Sequence, residues 1–176
     1  MFLYMRKMQK IGILLSSLIM VFELSISVQA TLMDMNDGTI YDTSTQLSWL
    51  KDAEAGGVRT KDEAIAWVES LNAGRGFAGL TGWRLPAADP ACGIDYNCTR
   101  SEMGYLYYTE LGNVAGGPLA NTGPFTNLQR PLAYWTSNEY APNTKETWVF
   151  SFTTGVQTIN WNDDPRASWA VRMGER

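Results

Sequence analysis

Histidine is absent from this chain of 176 residues, and cysteine occurs only twice. Without imidazole there is no Ser-His-Asp triad and no Cys-His pair, since both need that base. The usual zinc sets of His and Cys cannot be assembled either. No glycine-rich loop runs into a Lys-Ser/Thr pair, so the phosphate-cradling loop of nucleotide enzymes is missing. Charge is sparse: 14 Lys and Arg stand against 18 Asp and Glu, a net −4. No basic block interrupts that balance. An acidic surface repels phosphate backbones and anionic lipid, which excludes nucleic acid and anionic membrane surfaces as partners.

Long apolar runs are also scarce, and the one that stands out is at the start. Arg6, Lys7 and Lys10 precede a largely apolar run from Ile11 to Phe22, and Val28-Gln29-Ala30 supplies small residues beyond it. That layout predicts a secretory signal peptide over residues 1–30, cleaved after Ala30. The run falls short of the roughly 20 residues that span a bilayer. No cysteine stands at the cleavage point for lipid attachment, and no later segment is long and apolar enough to cross a membrane. The remaining residues, 31–176, are expected to form a single domain, exported to the periplasm or secreted. Removing residues 1–30 takes three basic residues and one acidic one. That leaves 11 against 17, a net charge of −6.

In an exported chain an even cysteine count reads as a disulfide. Five residues separate Cys92 from Cys98, enough to turn back, and closing so small a loop stabilises by roughly 2 kcal/mol. A redox or metal-binding pair is the alternative.

Residues 39–41 and 47–50 are strand-like, and Asp42-Thr43-Ser44-Thr45 between them predicts a hairpin turn. Thr60 to Asn72 reads as a helix. Thr60 and Glu63 match a capping box, and Ala64, Ile65, Trp67, Val68 and Leu71 recur at helical spacing. A second helix is predicted from Ser101 or Glu102 to Leu111, with Thr99 and Glu102 as its capping box and Gly112 as its stop. Met103, Leu106, Tyr107 and Leu111 form its expected inner face. Residues 113–131 make a long loop rich in Gly, Pro and Asn, either functional or pinned to the body. Strands are then expected at 133–138, 147–153, 156–161 and 167–173. Two helices followed by short strands and tight turns predict an α+β domain, two helices packed on a twisted antiparallel sheet.

Leu47-Ser48-Trp49, Ala64 to Trp67, Trp83-Arg84-Leu85-Pro86, Tyr134-Trp135-Thr136-Ser137, Trp148 to Gly155 and Val171-Arg172 follow one another over about residues 36 to 174. In that order they resemble the C-terminal domain of the Legionella collagen-like protein family. One departure stands out: Ala87-Ala88-Asp89-Pro90 and the cysteine loop replace the helix start that many members carry after Trp-Arg-Leu-Pro. The resemblance implies a fold similar to C-type lectins and to sulfatase-modifying enzymes. For at least one member it implies adhesion through sulfated polysaccharides. Binding a sulfated chain needs cationic donors, here Arg75, Arg84, Arg100, Arg130, Arg166 or Arg172. Arg84 and Arg172 are expected to pack on tryptophan faces or pair with carboxylates instead.

Trp161-Asn162-Asp163-Asp164 resembles the Trp-Asn-Asp calcium motif of sugar-binding C-type lectins, and Ala141-Pro142-Asn143 lies where those lectins carry Glu-Pro-Asn. Calcium takes six to eight oxygens, and sugar hydroxyls can complete the shell. Glu146, Asn162 and Asp163 are the calcium candidates; ordinary turn chemistry is the competing reading of the same residues. Tyr134, Trp135, Tyr140, Trp148, Trp161 and Trp169 offer rings that suit stacking against sugars. Tyr134 and Trp135 are neighbours on one strand, so one of them is expected on the outer face.

The expected function is an exported, non-catalytic binding domain whose partner is an extracellular glycan or a surface protein. Its ligand-binding candidates are Tyr140, Asn143, Asn162, Asp163 and Asp164. The alternatives are a sulfatase-modifying-type oxidase using Cys92 and Cys98, a carboxylate-based hydrolase, and a structural module of an envelope assembly.

Overall fold

The computed structural model describes residues 32–128 and 131–174. The expected signal peptide and Arg130 lie outside the described residues. Strands β1 (Leu32–Asp34), β2 (Thr39–Asp42) and β3 (Leu47–Leu50) form an antiparallel meander. The turn expected after β2 forms through Asp42. Its carboxylate accepts from the amides of Ser44 (2.9 Å) and Thr45 (3.3 Å) and from the Thr45 hydroxyl (2.6 Å). An aspartate that satisfies its own turn in this way competes well with continued strand pairing.

β4 (Val58–Arg59) leads into α1 (Lys61–Leu71). The Thr60–Glu63 capping box is present in both directions. Ala64 and Val68 are buried, while Trp67 and Leu71 pack on the core from its margin. Ile65, expected on that face, is 39 % exposed, because it is turned by ~100° from Ala64 about the helix axis. Asn72 ends the helix and clamps the next segment. Its amide nitrogen donates to the Trp83 carbonyl (2.9 Å) and its oxygen accepts from the Trp83 amide (2.8 Å).

The second helix opens as α2 (Glu102–Tyr105) and continues as a π turn over Leu106–Glu110. Met103, Leu106, Tyr107 and Leu111 are buried, as their spacing predicts. The expected Thr99–Glu102 box does not form. Ser101 caps the helix by accepting from the Gly104 amide (3.1 Å). The Glu102 carboxylate instead takes two bonds from the Arg84 guanidinium (2.7 and 2.6 Å) and one from the Ala87 amide (2.7 Å). A forked, charge-assisted pair outweighs a single capping bond. Arg84 therefore meets a carboxylate, as expected, and Arg172 donates to the carbonyls of Thr81 and Gly174.

The long loop is pinned to the body. The Asn113 side chain bonds to the backbone of Ala120 and Asn121, and Phe125 and Leu128 are buried. β5 (Tyr134–Glu139), β6 (Glu146–Phe150) and β7 (Gln157–Trp161) follow. The single closing strand expected at 167–173 is two strands. β8 (Arg166–Ala167) joins β4 and β5, and β9 (Val171–Met173) joins β3.

One sheet, as expected from sequence, is thus corrected to two, ordered β1-β2-β3-β9 and β4-β8-β5-β6-β7. All pairings are antiparallel except β5 with β8. The α+β class stands. Residues 168–170 cross between the sheets, and Trp169 fills the space between them. Its ring lies 4.8 Å from Trp49, 5.1 Å from Phe125 and 5.7 Å from Phe152, and its Nε1 donates to the Leu50 carbonyl (2.8 Å). Tyr134 and Trp135 are both fully buried, which corrects the outward position expected for one of them. β5 lies inside its sheet with matter on both faces. Tyr134 packs on Phe152 and Trp169, while the Trp135 indole donates to the Arg59 carbonyl (2.9 Å). Among the described residues no helix is long and apolar enough to cross a membrane.

Candidate functional site

The antiparallel ladder of β6 and β7 aligns Glu146 with Trp161 and Trp148 with Ile159. Its open end is capped by the turn between β5 and β6. There the amide of Asn143 donates to the Tyr140 carbonyl (2.8 Å), and the amide of Tyr140 to the Glu146 carbonyl (2.8 Å). The Asn143 amide group donates to the Glu146 carboxylate (2.9 Å). Asn162, just past β7, stitches three elements together. Its backbone amide donates to the Lys145 carbonyl (2.9 Å), its carbonyl accepts from the Lys61 amide (2.9 Å), and its side-chain nitrogen donates to the Thr144 carbonyl (3.0 Å).

These bonds bring the start of α1 against the two turns and leave a cleft of ≈ 290 Å³ lined by Asp62, Thr144, Lys145, Trp161, Asn162 and Asp163. Trp161 is 52 % exposed there. Lys61, whose amide donates to the Asn162 carbonyl beside the cleft, is 4 % exposed. Its ammonium donates to the Thr136 carbonyl. Burial pulls its pKa down to about 8, against the opposing pull of Glu139 and Asp62.

Of the five residues expected to bind ligand, Asn162 and Asp163 line this cleft. Asn143 holds the turn behind it. Tyr140 is half-buried, its ring edge-on to Trp148 at 5.4 Å. Asp164 is outside the lining, 4.0 Å from the Arg166 guanidinium. The sequence reading did not place Asp62, Thr144 or Lys145 in the site. Asp62 carried only the signal of a helix-start charge, and its neighbours across the cleft come from a segment some eighty positions away.

The calcium candidates Glu146, Asn162 and Asp163 do not assemble a shell. Glu146 holds the Asn143 amide, the side-chain oxygen of Asn162 is closed off from solvent without a partner, and Asp163 stands exposed. Among the described residues no three His, Cys, Asp or Glu side chains are grouped to hold a metal. The donor set does not fit the ion. Cys92 and Cys98 are joined as a disulfide, and no free cysteine remains among the described residues. Gln157, fully buried, ties the disulfide loop to β7. Its side chain bonds the Asp89 amide (3.1 Å) and the carbonyls of Asp89 (2.8 Å) and Gly93 (3.2 Å).

The architecture is α+β, two sheets linked by crossings after β3 and after β8, with an open polar cleft beside an exposed indole. The family model of the Lcl C-terminal domain matches residues 38–172, and the chain belongs to that family. The comparison with curated proteins gives no match. The marks that carried the resemblance lie mostly in the core: Trp49, Trp83, Tyr134, Trp135, Trp148 and Val171 are all buried.

Proposed function

We propose that the domain is an exported, non-catalytic binding module with a C-type-lectin-like core, and that it takes carbohydrate at the Trp161 cleft. The observation that carries this reading is the position of one ring. The chain has seven tryptophans; Trp49, Trp83, Trp135, Trp148 and Trp169 are buried, Trp67 is half-buried, and Trp161 stands 52 % exposed. A domain that hides nearly all its indoles gains nothing in stability from leaving one in water. A flat apolar face with hydrogen-bonding groups beside it suits a pyranose ring, whose faces are apolar and whose rim carries hydroxyls. Asp62 and Asp163 accept from such hydroxyls, and Lys145 donates to them.

Two carboxylates against one ammonium in the lining disfavour a sulfated chain, so the ligand is an uncharged glycan. Both carboxylates are exposed, and the cleft lacks the water exclusion that glycoside chemistry draws on. That favours binding over hydrolysis. A glycan array spanning neutral and sulfated structures tests the reading, with Trp161→Ala alongside. Binding of neutral glycans that disappears in the variant is the expected result. Silence across the array, or a variant that binds like the parent protein, overturns it and leaves the structural role in an envelope assembly.

A further inference from the structure

Glu110 closes the π turn, and both its carboxylate oxygens are shut off from solvent without a hydrogen-bond partner. A carboxylate closed off from solvent without a well-formed hydrogen bond is costly to keep charged, and the common escape is to keep the proton. Its surroundings sharpen the problem. Asp42, at the end of β2, is buried and acts on Glu110 as a second negative charge. The Asp42 oxygens are already committed to Ser44 and Thr45, so they offer no relief. Tyr105 flanks the carboxyl from α2 and Ser44 from the hairpin turn. Both hydroxyls act on it as weak donors that partly offset the effect, without forming a well-aligned hydrogen bond. No lysine or arginine is among the groups acting on it. Burial first, then Asp42, pushes the Glu110 carboxyl above its ordinary value. Burial first, and then the charge of Glu110, pushes the Tyr105 hydroxyl up in turn.

We propose that Glu110 is a proton-held latch between the second helix and the β2–β3 hairpin. Protonated, the carboxyl sits quietly against Asp42. Ionised, it drives the Asp42–Thr45 turn and the π turn apart. The π winding fits such a role, since π turns gather where a helix departs from regularity for function. Folding then holds on to a proton that the unfolded chain releases. Stability falls as pH rises from the ordinary glutamate value to the folded-state value, and levels off above it.

Thermal melting of the protein and of Glu110→Gln from pH 4 to pH 8 tests this. Gln keeps the shape and removes the charge. The two melting temperatures should coincide at pH 4 and separate as pH rises, with the variant a few degrees higher at pH 8. Carbon-13 NMR of the side-chain carboxyls in the unmodified protein should place the Glu110 midpoint above the ordinary glutamate value. Amides of Ser44 and Thr45 should exchange faster at pH 8 than in the variant. A Glu110 that titrates at or below the ordinary value overturns the proposal. So does a pair of melting curves that stay parallel, with equally protected hairpin amides. If the variant does not fold, the carboxyl titration of the unmodified protein decides the matter alone.

Discussion

Replacing Lys61 with methionine should stabilise this protein at neutral pH. The Lys61 ammonium is buried and bonds one carbonyl, that of Thr136. Burial lowers its pKa from the ordinary 10.5 to about 8. At ~1.4 kcal/mol per pH unit, holding the charged form in the folded state costs about 3 kcal/mol below pH 8. Methionine keeps the apolar stem and removes the charge. It also leaves the Thr136 carbonyl without its donor, a loss of about 1–2 kcal/mol. The net expectation for Lys61→Met at pH 7 is a gain of about 1–2 kcal/mol. The pH dependence separates this from ordinary repacking. A lowered folded-state pKa means that the unfolded chain binds the extra proton between pH 8 and 10.5. The parent protein therefore gains stability as pH rises through that window, relative to the variant. Urea denaturation of both proteins at pH 7 and pH 10 reads the two effects. Taking the difference cancels the tyrosines that titrate nearby. A variant less stable at pH 7, with no narrowing of the gap by pH 10, would refute the reasoning and make Lys61 a net contributor to the fold.

Two further substitutions separate core from cleft. Trp169→Ala should cost about 3–5 kcal/mol, since the indole fills the space between the sheets. Trp161→Ala should change stability by less than ~0.5 kcal/mol while removing glycan binding, and equilibrium denaturation of both variants checks the contrast. Reduction of the Cys92–Cys98 bond should cost roughly 2 kcal/mol in melting experiments. The first amides to lose protection should be those near Asp89 and Gly93, which Gln157 holds.

Local features were legible from sequence because their causes are local. The Thr60–Glu63 box, the Asp42 turn and the inner face of the second helix each depend on residues within a turn or two of one another. The disulfide was legible for the same reason. What escaped was set by partners far along the chain. Nothing near Ala167 says that the strand breaks at Ser168 and changes sheets. Period-two alternation says that Tyr134 and Trp135 face opposite ways, but not that both faces of β5 are covered. Glu102 carried a capping signature that a distant arginine overrode. The site was half visible: Asn162 and Asp163 stood out by residue type, whereas the Asp62 side of the cleft exists only because Lys61 bonds to Asn162.

The crossing at residues 168–170 sets a timetable. Trp169 bonds Leu50 across 119 positions, and β9 zips onto β3 from the far end of the chain. A ribosome delivers the first half long before the second. Until the closing residues emerge, the early meander has neither β9 beside β3 nor the Trp169 ring to close over, while β5, β6 and β7 have only one another. Joining of the two sheets is thus gated by completion of the polypeptide, and a copy cut short before Trp169 keeps its local ladders but lacks the ring that packs them together.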